Sequence, residues 1–514
     1  MQPHHKFSFS ESQGKRWIGL FSILFINLAV FITIILFGYA LWSDINNFIT
    51  NAIGIEINWI LLILGLSVLV ILYSISLLVI HTRELLLTGR TDPHIANKIL
   101  PFPILVIWNA MIVLLILEAG EYMVEIYSSF EHFSPLIFLG AIIILLLILS
   151  LLIPKLRELW RQTSGQAMNP RIKVALILVG CVVMYSVVFS LPYVLLPANI
   201  ISGDLPAKPQ IVAHRGGSHL APENTLAAGE FANDLGVLGW EVDVQISYDG
   251  VPFLLHDETL KRTTNVETIF PNRVNGPGSS FNISDLRQLD AGSWFVDTDP
   301  YGTIGTGIVT SERAENYRNL KIPTLEEVLN LTRDTGLILD VDFKKPSDNH
   351  PYYAQYYNIC LELILEANIN SQIWIVSGPR SLLDTISELY PDMRTGLPVG
   401  ANNAPSVEEL QVIGYDFINT HHGLTNDQFR AYTSAGIAVE AWTVNTIIRF
   451  SQLWCLGVKY IKTDAPHLFI NLTQPLWYIQ INDYNIAWIA IEISGLVLVL
   501  GFQYWRQKKN TSKG

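Results

Sequence analysis

Residues 211–257 read IVAHRGGSHLAPENTLAAGEFANDLGVLGWEVDVQISYDGVPFLLHD. An apolar start runs into His214-Arg215-Gly216-Gly217, and Pro222-Glu223-Asn224-Thr225 follows. Glu241 and Asp243 then stand in an apolar stretch, and His256-Asp257 closes the segment. Strand-like runs at 210–214 and 239–245 flank a helical stretch near 223–235, a strand–helix–strand unit. On a strand, two carboxylates two residues apart point the same way. They repel unless a divalent ion lies between them. Two histidines let one site both take and give protons. A guanidinium such as Arg215 meets an anion with two N–H groups at once. Such a set fits hydrolysis of a phosphodiester: a cation faces the anion, the nucleophile loses a proton, and the leaving oxygen gains one.

The same alternation continues outward. Strands are expected near 337–343, 373–377, 394–398, 416–419, 437–443 and 458–463. Helices are expected near 324–333, 352–367, 379–389, 405–413, 425–435 and 446–456. Eight strands joined by helical crossovers imply an α/β fold, a (β/α)8 TIM barrel, whose active site lies at the C-terminal strand ends. His214, Glu241, Asp243, Asp342, Lys344 and Trp442 all fall near such ends. Ser247-Tyr248-Asp249-Gly250 is a turn, and Val251–Leu255 is strand-like. A hairpin pivoting near Asp249 would pair His256 with about residue 242 and fold it over Glu241 and Asp243. Residues 257–322 are rich in Gly, Asn, Asp, Ser and Thr and too long for an ordinary barrel loop. They are expected to form a small cap beside the mouth. His219 is expected to be an exposed loop histidine, and Lys345 a solvated face.

Around this segment the composition is that of a membrane protein: 50% of residues are hydrophobic and 15% charged, with mean hydropathy +0.34. Uncharged runs occupy 17–43, 57–82, 99–117, 133–154 and 174–203, and 484–505 holds only Glu492. Each is long enough to span a bilayer, so six transmembrane helices are expected, the first as a signal anchor. Glu492 is a functional candidate inside the membrane or a residue facing another helix. The two tails and the second and fourth loops carry fifteen Lys and Arg; the first and third loops carry none, only acids such as Glu125 and Glu131. The positive-inside rule puts both tails in the cytosol and 204–483 outside. The sequons at Asn282, Asn330 and Asn471 fall in that outer segment. The expected domains are 1–203 (cytosolic tail and five helices), 204–475 (barrel, with its insertion at about 257–322) and 476–514 (sixth helix and cytosolic tail). Of the three cysteines, Cys181 lies in the fifth run, and Cys360 and Cys455 are expected as two separate buried thiols. A net charge of −12 argues against a nucleic-acid partner.

HRGGSHLAPENT (214–225), EVDVQISYDGVPFLLHD (241–257), LKRTT (260–264), DFKKP (342–346), AWTVN (441–445) and GVKYIKTDAP (457–466) together resemble the glycerophosphodiester phosphodiesterase family over about 209–470. The five-plus-one crossings resemble its six-transmembrane animal group, whose catalytic domain lies at the cell surface. The resemblance implies acid–base roles for His214 and His256 and phosphate contacts from Arg215 and Lys344. It implies metal ligation by Glu241, Asp243 and Asp342, with Ca²⁺ or Mg²⁺ suiting these oxygens. Many relatives have Glu where Asp342 stands; Asp340, two residues earlier, could compete for the role. Glu223 and Asn224, at the opening of a helix, would support the site by orienting Arg215 or binding the metal indirectly. Trp442 would wall the pocket. The substrate class implied is glycerophosphodiesters such as glycerophosphoinositol or glycerophosphocholine. The alternative is cleavage of lysophospholipids or glycosylphosphatidylinositol anchors by the same site. A non-catalytic receptor is a third reading, against which the intact His214, Arg215, Glu241, Asp243 and His256 argue.

Overall fold

The computed structural model of the chain describes residues 28, 31, 46, 50, 55, 57–88, 123–161, 170–400 and 404–511. It divides into two units, Met1–Ser134 and Pro135–Gly514. In the first, helix α1 (Trp59–Thr88) starts where Asn58 Oδ1 accepts the Leu61 amide at 3.0 Å. Ser67 and Ser74 lie in its apolar stretch, and their hydroxyls donate to the Ile63 and Val70 carbonyls one turn back, at 2.7 and 2.9 Å. Their polar groups are thus satisfied within the helix, as a hydrocarbon surround requires.

Helices α2 (Met123–Arg161) and α3 (Pro170–Val194) precede the barrel, and a C-terminal helix (Ile481–Thr511) follows it. Among the described residues four helices are long and apolar enough to cross a bilayer: Trp59–Leu77, Val124–Pro154, Val174–Val194 and Ile481–Lys508. The expected runs 17–43 and 99–117 lie outside the described residues. Two boundaries differ from expectation. Helix α2 begins at Met123, so Glu125 and Glu131 stand on a helix instead of in a loop; the stretch from 123 to 134 has no Gly or Pro to stop it. Helix α3 ends at Val194, short of 203, ahead of Pro197. Ile200–Ile201 then pairs in parallel with Ile479–Gln480, and the Asn199 side chain donates to the Trp477 carbonyl at 2.8 Å. Phe138, Ile142 and Leu145 of α2, Phe189 of α3, and Tyr484 and Trp488 of the last helix share one apolar cluster. Glu492 of that helix lies by the Tyr193 hydroxyl of α3.

Eight parallel strands close the barrel: β1 (Gln210–Ala213), β2 (Gly239–Ile246), β4 (Ile338–Phe343), β5 (Ile373–Ile375), β6 (Arg394–Val399), β7 (Phe417–His421), β8 (Val439–Trp442) and β9 (Tyr460–Thr463). Strand β9 pairs with β1, and β1 with β2, which completes the ring. Helices α4 (Leu226–Asp234), α5 (Leu325–Thr335), α6 (Tyr356–Glu366), α7 (Arg380–Leu389), α8 (Val407–Ile413), α9 (Asn426–Ser434) and α10 (Ile447–Cys455) are the crossovers. A single turn, Pro466–Leu468, stands in place of an eighth helix. Five of these helices, α4, α5, α8, α9 and α10, start at a Ser or Thr whose side chain accepts a backbone amide; Thr324 and Glu327 form a capping box at α5, and Gly336 closes it with φ 73°.

Strand alternation sorts the core. Trp240, Val242, Val244, Leu339 and Val341 belong to the cluster shared with the helices. Val212, Trp374, Phe417 and Tyr460 form a separate apolar cluster. Further along the same strand faces come Glu241, Asp340, Glu440 and Lys462, all buried, and then the strand ends with Asp243, Asp342 and Asp464. Cys360 and Cys455 are both buried free thiols, as expected.

The hairpin strand β3 (Pro252–Leu254) runs antiparallel to β2 with Val244 opposite Leu254. The Leu255 amide then donates to the Asp243 carbonyl at 3.0 Å, so the hairpin carries His256 back alongside the end of β2, in the expected sense. The insertion has more apolar order than its composition suggests. Leu260, Val266, Phe281, Leu286 and Leu289 pack with Phe253 and Leu255 of the hairpin. Phe295, Val309, Ala314 and Tyr317 pack on Leu220, Ala221, Ala228 and Phe231.

Candidate active site

The chain turns sharply at the end of β1. Residues His214–Gly216 make one tight turn in which Arg215 takes φ 52° and Gly216 φ 85°. A side chain on Gly216 would meet Ala228 Cβ at 2.5 Å, so only glycine lets the turn lie against α4. The Arg215 amide donates to Glu241 Oε2 at 2.8 Å. His214 Nδ1 lies 2.7 Å from Asp464 Oδ1, and its Nε2 lies 3.9 Å from Glu241. Asp464 also accepts from Ser218 Oγ (2.7 Å) and Asn445 Nδ2 (2.8 Å). Burial works to lower the His214 pKa, but Asp464 and then Glu241 outweigh it and hold it above the usual histidine value. Burial likewise opposes ionisation of Asp464, and the facing His214 holds it well below the carboxylate range.

Glu241, Asp243 and Asp342 converge. Each offers an oxygen within 4.8 Å of the others. The register explains it: β2 and β4 are neighbours, with Asp243 level with Asp342 and Glu241 level with Asp340. Burial, then the Asp243 carboxylate, push Glu241 up to about 7. Asp243 is held low because Lys344 and Arg215 outweigh its burial. Lys344 Nζ is 2.7 Å from Asp342 and 3.2 Å from Asp243 Oδ1, an oxygen with no hydrogen bond. Three carboxylates crowded at a buried strand end, one with an unbonded oxygen, fit a hard divalent cation. Asp340 does not join them. It lies below, fully buried, 2.7 Å from Lys462 Nζ, with Glu440 3.6 Å from the same lysine.

The supporting residues fall around this centre. Asn224, at φ 56°, donates from Nδ2 to Asp243 Oδ2 (2.8 Å) and accepts the Asp243 amide (3.0 Å). Glu223 accepts from Arg215 Nη1 at 3.1 Å. Both precede α4 instead of forming its first turn, because Thr225 is the cap. His256 Nδ1 lies 3.0 Å from Asp257 Oδ1. Trp442, at the end of β8, stands level with His421 and meets its ring edge-on, centroids 5.4 Å apart. His219 is not an exposed loop residue: it is half-buried and stacks on Tyr301 of the insertion at 4.1 Å. Lys345 is exposed, with Nζ 3.5 Å from the centre of the Tyr353 ring.

Sequence reasoning missed Asp464, Asn445, Ser218, Arg262 and the Asp340–Lys462–Glu440 cluster. Asp464 directly follows β9, so its place at a C-terminal strand end was the available signal. Arg262 lies in the quoted LKRTT motif, but its role was hidden because its partners Glu223 and Asp257 meet it only through the fold of the insertion.

A comparison with family models matches residues 214–468 to the glycerophosphoryl diester phosphodiesterase family. The chain is 30% identical over 502 residues to glycerophosphodiester phosphodiesterase domain-containing protein 5 of Gallus gallus, covering 96% of this chain and 80% of that one. It is 29% identical over 490 residues to the glycerophosphoinositol inositolphosphodiesterase GDPD2 of Mus musculus, covering 94% and 87%. Among solved structures, an Oleispira antarctica phosphodiesterase in complex with the product sn-glycerol-3-phosphate is 26% identical. It covers 51% of this chain and 95% of its own, at a TM-score of 0.41.

Proposed function

The chain belongs to the glycerophosphodiester phosphodiesterase family, and from that premise we propose that it hydrolyses glycerophosphodiesters at the site framed by His214 and His256. The observation that carries this is the set of Glu241, Asp243 and Asp342 within 4.8 Å of one another, with His214 3.9 Å from Glu241. Each imidazole has Nδ1 beside a carboxylate, Asp464 for His214 and Asp257 for His256. That leaves each Nε2 to exchange a proton with substrate. One histidine takes the proton of the attacking hydroxyl or water; the other returns one to the leaving oxygen. Arg215 and Lys344 meet the phosphate oxygens, and Trp442 walls the pocket. Glu223 orients Arg215, and Asn224 fixes Asp243. A Ca²⁺ or Mg²⁺ ion held by Glu241, Asp243 and Asp342 would supply positive charge against the pentavalent phosphorus. Glycerophosphoinositol is the first substrate to try, given the name of the mouse relative.

In the same reading the barrel spans 204–475, outside the cell or in a lumen, between five helices in 1–203 and a sixth in 476–514, with both tails cytosolic. The loop charges and the placement of the sequons support it. The test of the catalytic assignment is substitution: His214→Ala and His256→Ala should each lower kcat by about 10²–10⁴, with a smaller change in KM. Near-normal kcat in either variant would remove that histidine from the mechanism.

A further inference from the structure

Arg262 comes from the insertion, yet it reaches both halves of the site. Its Nη1 and Nη2 donate to the two oxygens of Glu223 at 2.7 Å each. Its Nε and Nη2 donate to the two oxygens of Asp257 at 2.7 and 2.9 Å. Glu223 is the carboxylate that receives Arg215 Nη1, and Asp257 is the carboxylate beside His256 Nδ1. One planar fork therefore joins Arg215, Glu223, Asp257 and His256 into a single chain of charge-assisted hydrogen bonds. The Glu223 side chain is only 4% exposed, and these guanidinium groups are what face its two oxygens.

We propose that Arg262 is a positioning residue that holds the phosphate-binding Arg215 and the proton-transferring His256 in one frame. This rests on the roles proposed above. The two effects are separable. Arg262 holds Glu223 at two points, whereas Arg215 holds it at one, on an oxygen shared with Arg262. Without Arg262, the buried Glu223 keeps only Arg215, which turns to meet it with both N–H groups and withdraws them from phosphate. Asp257 loses both contacts to the guanidinium and no longer fixes His256, whose side chain is 35% exposed and free to rotate. The first effect weakens phosphate binding, and the second lowers turnover.

The test uses the full chain in detergent, with glycerophosphoinositol as substrate and glycerol phosphate as a binding probe. Arg262→Ala should lower kcat about 10²-fold, the scale of a small misplacement in a catalytic group. It should also weaken glycerol phosphate binding about tenfold, the direction expected when Arg215 is drawn onto Glu223. Millimolar guanidinium should recover part of both losses in Arg262→Ala and none in Arg262→Lys, where the ammonium fills the space and cannot fork two carboxylates. Asp257→Asn combined with Arg262→Ala should lower kcat no further than Arg262→Ala alone. Unchanged kcat and affinity in Arg262→Ala would overturn the proposal. So would losses that track the folded fraction in thermal melts and do not respond to guanidinium. A wild-type chain without turnover would instead contradict the activity proposed above, and probe binding with its guanidinium response would still decide the role of Arg262.

Discussion

His214 Nδ1 and Asp464 Oδ1 lie 2.7 Å apart, although 250 residues separate them in the chain. Closure of the barrel through β9 and β1 brings them together. The contact fixes which imidazole nitrogen faces the carboxylate and which faces Glu241.

The pair makes stability depend on pH with a definite sign. The folded pKa of His214 is raised, so its contribution is full below about 6.5 and is lost as pH rises through the folded value. Asp464 is depressed, so its contribution is full above about 4 and is lost as pH falls further. The melting temperature of wild type minus that of Asp464→Asn, in chelator, should therefore be largest between about pH 4 and 6.5 and shrink above it. A difference that grows from pH 6.5 to 9 would mean that His214 is not the partner that matters.

Asp342 and Asp340 should separate cleanly. Asp342→Asn should weaken divalent-metal affinity, with partial rescue by excess metal, and Asp342→Glu should retain substantial activity. Asp340 is buried beside Lys462 and Glu440, and burial, then the Glu440 charge, push it well above its usual value. Asp340 faces Lys462 and lies apart from the three converging carboxylates, so Asp340→Asn should titrate metal as wild type does. Lys462→Met removes the one cation between Asp340 and Glu440 and should cost about 3–5 kcal/mol in chemical denaturation. If Asp340→Asn is the variant that needs extra metal, the ligand is Asp340.

Glycosylation tests the topology. Asn282, Asn330 and Asn471 are all exposed on the barrel side of the chain. Glycosidase should shift the mobility of the protein, and substitution of the three should abolish the shift. A glycan at Asn510 would place the C-terminal tail on the other side of the membrane.

What was legible in the sequence was local. Strand-like and helical patterns placed all eight barrel strands, and the Ser247–Gly250 turn placed the hairpin whose strand β3 sets Val244 opposite Leu254. Glu241 and Asp243 were legible because a spacing of two on a strand gives a shared face; Asp342 was named through the family resemblance, and strand pairing sets it level with Asp243. Arg262 and Asp464 lie in the quoted LKRTT and GVKYIKTDAP motifs, but their roles were not legible, because their partners are set by chain closure and by an irregular insertion that no period describes. His219 was misread for the same reason: Tyr301, which covers it, lies 82 residues on, inside that insertion. The start of α2 was misread because acidic residues suggested a loop where nothing in the chain stops a helix.

The most direct test of the proposed metal-dependent activity is release of phosphorylated product from glycerophosphoinositol and glycerophosphocholine by the purified full chain, before and after chelation. The account predicts turnover of at least one substrate, its loss in chelator, and its return with Ca²⁺ or Mg²⁺. Full activity in excess chelator would contradict the role given to Glu241, Asp243 and Asp342, and no release of product under any metal would contradict the activity itself.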